Sequence, residues 1–214
     1  MTLFKKYNIF DIFTYGYYIV VYEKIFRMFN TFIFYTKAKL LNIKVGNECQ
    51  IFGKVNIVKF PSSKIKIGDK CNLISCNKKA GASTLQITRI KTFTKTATVI
   101  IENNVDLNGT SIACRSTKIH IKSNTLIGSN VSICDSDFHC IEPEYRIPGK
   151  RKACFENDKD VIIGENVWIG MNTIILKGVT IGDNTVVGAG SVVSKSLEAN
   201  SVYVGNPLKK IKSI

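Results

Sequence analysis

Residues 161–196 read VIIGENVWIGMNTIILKGVTIGDNTVVGAGSVVSKS. An aliphatic residue recurs every six positions, at Ile163, Ile169, Ile175, Ile181, Val187 and Val193. Isoleucine and valine are 47 of the 214 residues, so six successive hits in one register have a chance probability on the order of 10⁻⁴. Glycine follows at 164, 170, 182 and 188, and Val167, Thr173, Val179, Thr185 and Ser191 stand four residues after the aliphatic slots. Each hexapeptide therefore reads as a short strand plus a turn, and three of them close one triangular coil. The aliphatic side chain points inward, the small residue fits beside the corner, and Gly or Asn accepts the turn.

The same pattern can be traced backwards with interruptions. Val45 with Cys49, Ile51 with Val55, Ile67 with Cys71, Ile101 with Val105, Leu107 with Ser111 and Ile127 with Val131 all fit it. The register slips around 76–98 and 113–121, which predicts small loops there. Cys49 and Cys71 fall on small inward slots, where a free thiol acts as a small hydrophobe. Stacked coils bury a continuous core but leave their ends open, so something must cover them.

Residues 1–42 are of another kind. They hold 13 of the 21 aromatic residues, among them Phe4, Tyr7, Phe10, Phe13, Tyr17, Phe26, Phe29 and Phe32, with six basic and two acidic side chains. The spacing 10, 13, 17, 20/21 suits one helical face, and Glu23 to Arg27 is an i,i+4 charge pair, so one or two helices interrupted near Gly16 are expected. Such a segment either caps the coil or a neighbouring subunit, or rests at a membrane surface. The uncharged run Ile12–Tyr22 is eleven residues, too short to span a bilayer.

The chain as a whole carries a net charge of +14, which directs attention to acidic partners. No run of like charge exceeds three residues and aromatics do not alternate with basic residues, so nucleic acid is not an expected partner. The seven cysteines follow no recognisable signal peptide, so reduced thiols and a cytoplasmic place, free or peripheral at the inner face of the membrane, are the expectation.

The repeat continues through Ile121, Ile127 and Ile133, and the next slot, 139, is a histidine in SICDSDFHC, residues 132–140. Periodicity then vanishes until 161. The intervening stretch from 140 to 160 has five basic and five acidic residues with Pro143 and Pro148, and reads as a solvent-facing loop able to fold over a cleft. His139 is either a corner residue satisfied by backbone or a general base. As a base it requires an orienting acceptor, for which Asp137 and Asp135 are the local candidates if the strand alternation continues. A metal site is not expected: no Cys or His pairing with ligand spacing accompanies Cys134, His139 and Cys140, and the chain has only two histidines.

The stretch NVWIGMNTIILKGVTIGDNTVVGAGSVVSKSLEANSVYVGNPLKKIK closely resembles the C-terminal half of the hexapeptide-repeat acyltransferases, the left-handed parallel β-helix enzymes that include galactoside, maltose and serine acetyltransferases. The resemblance covers roughly 43–212 and is strongest after 120. The aromatic N-terminus is most similar to the O-acetyltransferases of bacterial capsule and lipopolysaccharide biosynthesis. The resemblance implies a mainly β chain with a helical segment at 1–42, a left-handed β-helix over 43–206 with a loop protruding near 140–160, and a basic tail over 207–214. It implies acetyl-CoA as donor, a sugar or polysaccharide precursor as acceptor, and a cleft between subunits of a homotrimer. By the same resemblance His139 is the base, and the Trp168–Gly170 stretch supplies an oxyanion donor with Trp168 lining the cleft. Met171 and Ala189 would line the pantetheine channel, Ser194 and Lys195 lie further along it, and Lys209 and Lys212 reach the adenosine phosphates. An N-acetyltransferase of an amino sugar and a β-helix that has lost catalysis remain the rival readings.

Overall fold

The computed structural model describes residues 9–17, 21, 23–77, 79–80 and 82–214. The six-residue spacing forms three-strand coils. The first coil consists of β1 (Lys44–Val45), β2 (Gln50–Phe52) and β3 (Asn56–Val58). The second has β4 (Lys64–Ile67), β5 (Asn72–Ile74) and β6 (Arg89–Thr92), and the third β7 (Thr98–Ile101), β8 (Asp106–Asn108) and β9 (Ser111–Cys114). The fourth has β10 (Lys118–Ile121), β11 (Leu126–Ile127) and β12 (Ser132–Cys134). After a long excursion the fifth takes β13 (Val161–Ile163), β14 (Trp168–Ile169) and β15 (Ile174–Ile175), and the sixth β16 (Thr180–Ile181), β17 (Val186–Val187) and β18 (Val192–Val193). The chain ends in β19 (Ser201–Val204) and β20 (Lys209–Ser213).

Up to β18 every third strand stacks in parallel. The first sheet runs β1-β4-β7-β10-β13-β16, the second β2-β5-β8-β11-β14-β17-β19-β20, and the third β3-β6-β9-β12-β15-β18. The result is a left-handed parallel β-helix. Ile163, Ile169, Ile175, Ile181, Val187 and Val193 are each at most 1% exposed, and Val167, Thr173, Val179, Thr185 and Ser191 are buried between them. Full burial of each aliphatic side chain contributes about 1.5–3 kcal/mol.

The corners explain the glycines and asparagines. A Cβ on Gly182 would lie 2.3 Å from the Ala199 nitrogen, so only glycine lets the coils stack there. Asn166 and Asn184 take φ of 54° and 57°, which the short amide tolerates. Their side chains then form a ladder, Asn166 Nδ2 donating to Asn184 Oδ1 at 2.9 Å and Asn184 Nδ2 to Asn200 Oδ1 at 2.8 Å.

One inward assignment is corrected. Ser111 faces outward, and Thr110 and Ile112 are buried in its place, because the turn at Gly109 (φ 50°) is one residue short of a hexapeptide. Cys49 and Cys71 are buried as the repeat predicts.

Ahead of the coil stand α1 (Ile9–Tyr17) and α2 (Glu23–Leu40). Phe34 and Ala38 of α2 join the core, and Tyr35 donates to the Gly46 carbonyl at 2.7 Å. Arg27 reaches Gln50 Oε1 at 2.8 Å and lies over the Phe52 ring. Phe4, Tyr7, Val20 and the side chain of Glu23 lie outside the described residues.

Candidate active site

The excursion 135–160 leaves where the third sheet hands the chain to the first. The strand alternation that would place Asp135, Asp137 and His139 on one face stops at Cys134. Asp135 is buried, Asp137 and His139 are exposed, and Phe138 takes φ of 63°. The expectation that Asp135 orients the histidine is corrected. Its carboxylate accepts from the backbone nitrogens of Arg115 at 2.6 Å, Ser116 at 3.1 Å and Thr117 at 3.0 Å, and from the Thr117 hydroxyl at 3.0 Å. It closes the 115–117 turn. Asp137 pairs with the Lys177 ammonium instead. Among the described residues no side chain hydrogen-bonds His139, and its imidazole is open to solvent.

The two limbs of the excursion are joined by a buried ion pair. Arg115 donates through Nε and Nη2 to Asp158 at 2.8 and 2.5 Å and through Nη2 to the Cys154 carbonyl at 2.7 Å. Its guanidinium also lies against the rings of Phe155 and Phe138, 4.8 and 5.9 Å from their centroids. Phe138 packs edge-on against Phe93, 5.0 Å between centroids. The departure of the excursion at Phe138 and its return at Asp158 are thus held by one side chain. Burial by itself would raise the Asp158 carboxyl. Hydrogen bonds from Arg115, Ser116 and Ser136, with the Arg115 charge, outweigh burial and hold it below the ordinary carboxylate value.

The other residues named from sequence fall into two groups. Ser194 and Lys195 follow β18 at the same corner as the excursion, where Leu176 N donates to the Val193 carbonyl at 3.0 Å and brings the two turns together. Gly170, Met171 and Ala189 occupy a different corner, between the second and third sheets, where Gly190 N donates to the Met171 carbonyl at 2.8 Å. Trp168 stands on the second sheet with 57% of its surface exposed, so it is not a core residue. Lys209 and Lys212 are exposed on β20, paired antiparallel with β19 on that same sheet. Within one chain, the second sheet lies opposite the corner carrying His139. The two groups do not meet within this chain.

Residues 160–195 match the family model described as bacterial transferase hexapeptide (six repeats). These residues are hexapeptide repeats. A galactoside O-acetyltransferase of Lactococcus lactis is 43% identical to the hexapeptide-repeat chain over 91 residues, 42% of this chain and 41% of that protein. An N-acyltransferase from Bacillus cereus, AntD, solved in complex with dTDP and 3-hydroxybutyryl-CoA, matches in fold. Its TM-score is 0.60 at 24% identity, over 83% of this chain and 87% of that one. The chain spans about half the length of the curated relatives it matches.

Two further features of the hexapeptide-repeat chain escaped the sequence reading. Arg115 and Asp158 lie 43 residues apart and carry no motif; only the fold brings them together. The expectation that all thiols are reduced is also corrected, because Cys140 and Cys154 are joined in a disulfide across a Cα–Cα distance of 5.3 Å. The returning limb of the excursion passes beside its departing limb, which places the two cysteines together. With Cys140 so bonded, it is not a free thiol beside His139. Closing a loop of this length by a disulfide contributes about 3 kcal/mol by restricting the unfolded chain. Thiol titration of the denatured, unreduced protein should therefore find the five free cysteines 49, 71, 76, 114 and 134, and seven only after reduction. Seven thiols before reduction would show that the excursion is not stapled.

Proposed function

We propose that the chain is an acyltransferase that takes acetyl from acetyl-CoA and places it on a sugar hydroxyl, with His139 as general base. The observation that carries this reading is the exposed imidazole, which no side chain among the described residues hydrogen-bonds, in an excursion pinned by Arg115–Asp158 and by a disulfide. His139 takes the hydroxyl proton as the oxygen adds to the thioester carbonyl. The tetrahedral intermediate then collapses, the carbon–sulfur bond breaks, and the CoA thiolate takes up the proton. Exposed Lys195, Lys209 and Lys212 fit the phosphates of the donor, and Met171 and Ala189, side by side at one corner, fit its pantetheine arm.

The separation of His139 from Trp168 supports a site completed between copies of a homotrimer, one copy presenting the excursion and the next its second sheet. The similarity to a galactoside O-acetyltransferase favours a hydroxyl acceptor, and the aromatic N-terminus favours a capsule or lipopolysaccharide precursor. The test is thiol release from acetyl-CoA against a panel of galactosides, nucleotide sugars, oligosaccharides and amino sugars, followed by base treatment of the product. We expect a base-labile ester. A base-stable amide formed on the amino sugars would replace this reading with N-acetylation, and no thiol release with any acceptor would replace it with a binding scaffold. Light scattering gives the oligomeric state, and a monomer would remove the shared site.

A further inference from the structure

α2 is apolar on two faces. At about 100° per residue, Arg27, Thr31, Phe34, Tyr35 and Ala38 form one stripe, and this stripe meets the coil. Ile25, Phe29, Phe32, Ile33 and Leu40 lie about 180° round the helix. These residues are from 47 to 82% exposed. The end of α1 continues the surface with Phe13 and Tyr17, also exposed. Between the helices Tyr17, Val21, Ile25, Phe26 and Phe29 line an open apolar cleft of about 340 Å³. An apolar surface of this extent on a folded chain marks an interaction site.

Charge identifies what covers it. The first 100 residues hold 17 of the 30 basic side chains and only 4 of the 16 acidic ones, so nearly all of the net +14 resides there. Lys37 and Lys39 flank the outer stripe of α2 on its two sides, and Lys44, Lys54, Lys64, Lys66 and Lys70 are exposed on the first two coils. The remaining 114 residues, which include the candidate active site, are close to neutral. Among the described residues no helix is long and apolar enough to cross a membrane. Aromatic side chains on one face with lysines at its rim are the pattern of a helix lying in the lipid headgroup layer, where each basic residue gains from anionic lipid.

We propose that α1 and the outer face of α2 dock the chain on an anionic phospholipid surface, with the lysines of the first two coils facing the headgroups and the later coils projecting away. This division gives α2 two jobs: its inner stripe packs on the coil while its outer stripe meets lipid. The proposal is independent of acyl transfer, because it concerns the end of the prism at the first coil, whereas the excursion leaves after the fourth.

Flotation of the full chain with vesicles tests it. Wild type should float with vesicles of three parts phosphatidylcholine to one part phosphatidylglycerol, and not with phosphatidylcholine alone, and added salt should release it. Phe29→Ser with Phe32→Ser should lower the floated fraction roughly tenfold or more, with the circular-dichroism melt unchanged because both side chains are outside the core. Lys37→Glu with Lys39→Glu should weaken flotation without touching an aromatic residue. The proposal is overturned if wild type fails to float with the anionic vesicles, or if the aromatic variant floats as well as wild type. It is equally overturned if the aromatic variant merely breaks an oligomer while wild type ignores lipid, since a second copy would then be the occupant.

Discussion

His139→Ala should reduce acetyl transfer by about 10²–10⁴-fold while leaving the protein folded. Both halves of this expectation come from the same geometry. The imidazole is exposed and among the described residues receives no hydrogen bond, so truncating it removes no packing and orphans no buried group. Asp135 keeps its bonds to the 115–117 turn and Asp137 keeps Lys177, so neither carboxylate loses a partner. The unfolding midpoint should therefore stay near that of wild type, and donor binding, measured by calorimetry with CoA, should persist because Lys195, Lys209 and Lys212 are all kept. Single-turnover rates of ester formation check the chemical step. A variant that transfers acetyl at close to the wild-type rate removes His139 from the mechanism and leaves the chain a binding scaffold or the user of another base.

The repeat made the coil legible because its constraint is local and reiterated: each inward slot must be aliphatic and each tight corner small. The same constraint marks Ile163 to Val193 as inward residues and Cys49 and Cys71 as packing residues. Ser111 was misplaced by the same logic, since a one-residue shortening at Gly109 shifts the register without changing the composition. His139 stood out because it occupies an aliphatic slot of the repeat. What holds it did not, because Arg115, Phe138, Cys154 and Asp158 meet only through the path of the excursion. Asp135 and Asp137 were assigned by extending strand alternation past Cys134, and the left-handed φ at Phe138 shows the chain turning there instead. The helix α2 was ambiguous in sequence between capping and lipid contact because it is apolar on both faces, and a one-dimensional spacing cannot say which stripe meets the coil.

Arg115→Met should be the most damaging substitution outside the aliphatic core. It keeps most of the side-chain volume but leaves Asp158 as a buried carboxylate without its counter-charge, a change that costs about 3–5 kcal/mol. The Cys154 carbonyl loses its donor as well, and Phe138 and Phe155 lose the cation between them. Chemical denaturation should show the loss in full if the excursion unfolds with the coil. If the excursion opens on its own, limited proteolysis should instead cut within 140–153 while the coil melts as before. The pH dependence separates charge from packing. Asp158 titrates below its ordinary value in the folded protein, so its pairing contributes stability above the unfolded carboxylate pKa, and that contribution disappears as pH falls through the lower folded value. Wild type should thus lose stability on acidification, whereas in Arg115→Met this acid-labile component should be absent. Asp158→Asn in the Arg115→Met background should restore part of the loss by removing the orphaned charge. If the single variant matches wild type in stability at neutral pH and in its acid limb, the ion pair is not what holds the excursion, and the disulfide together with the Phe138–Phe93 contact must fix His139 unaided.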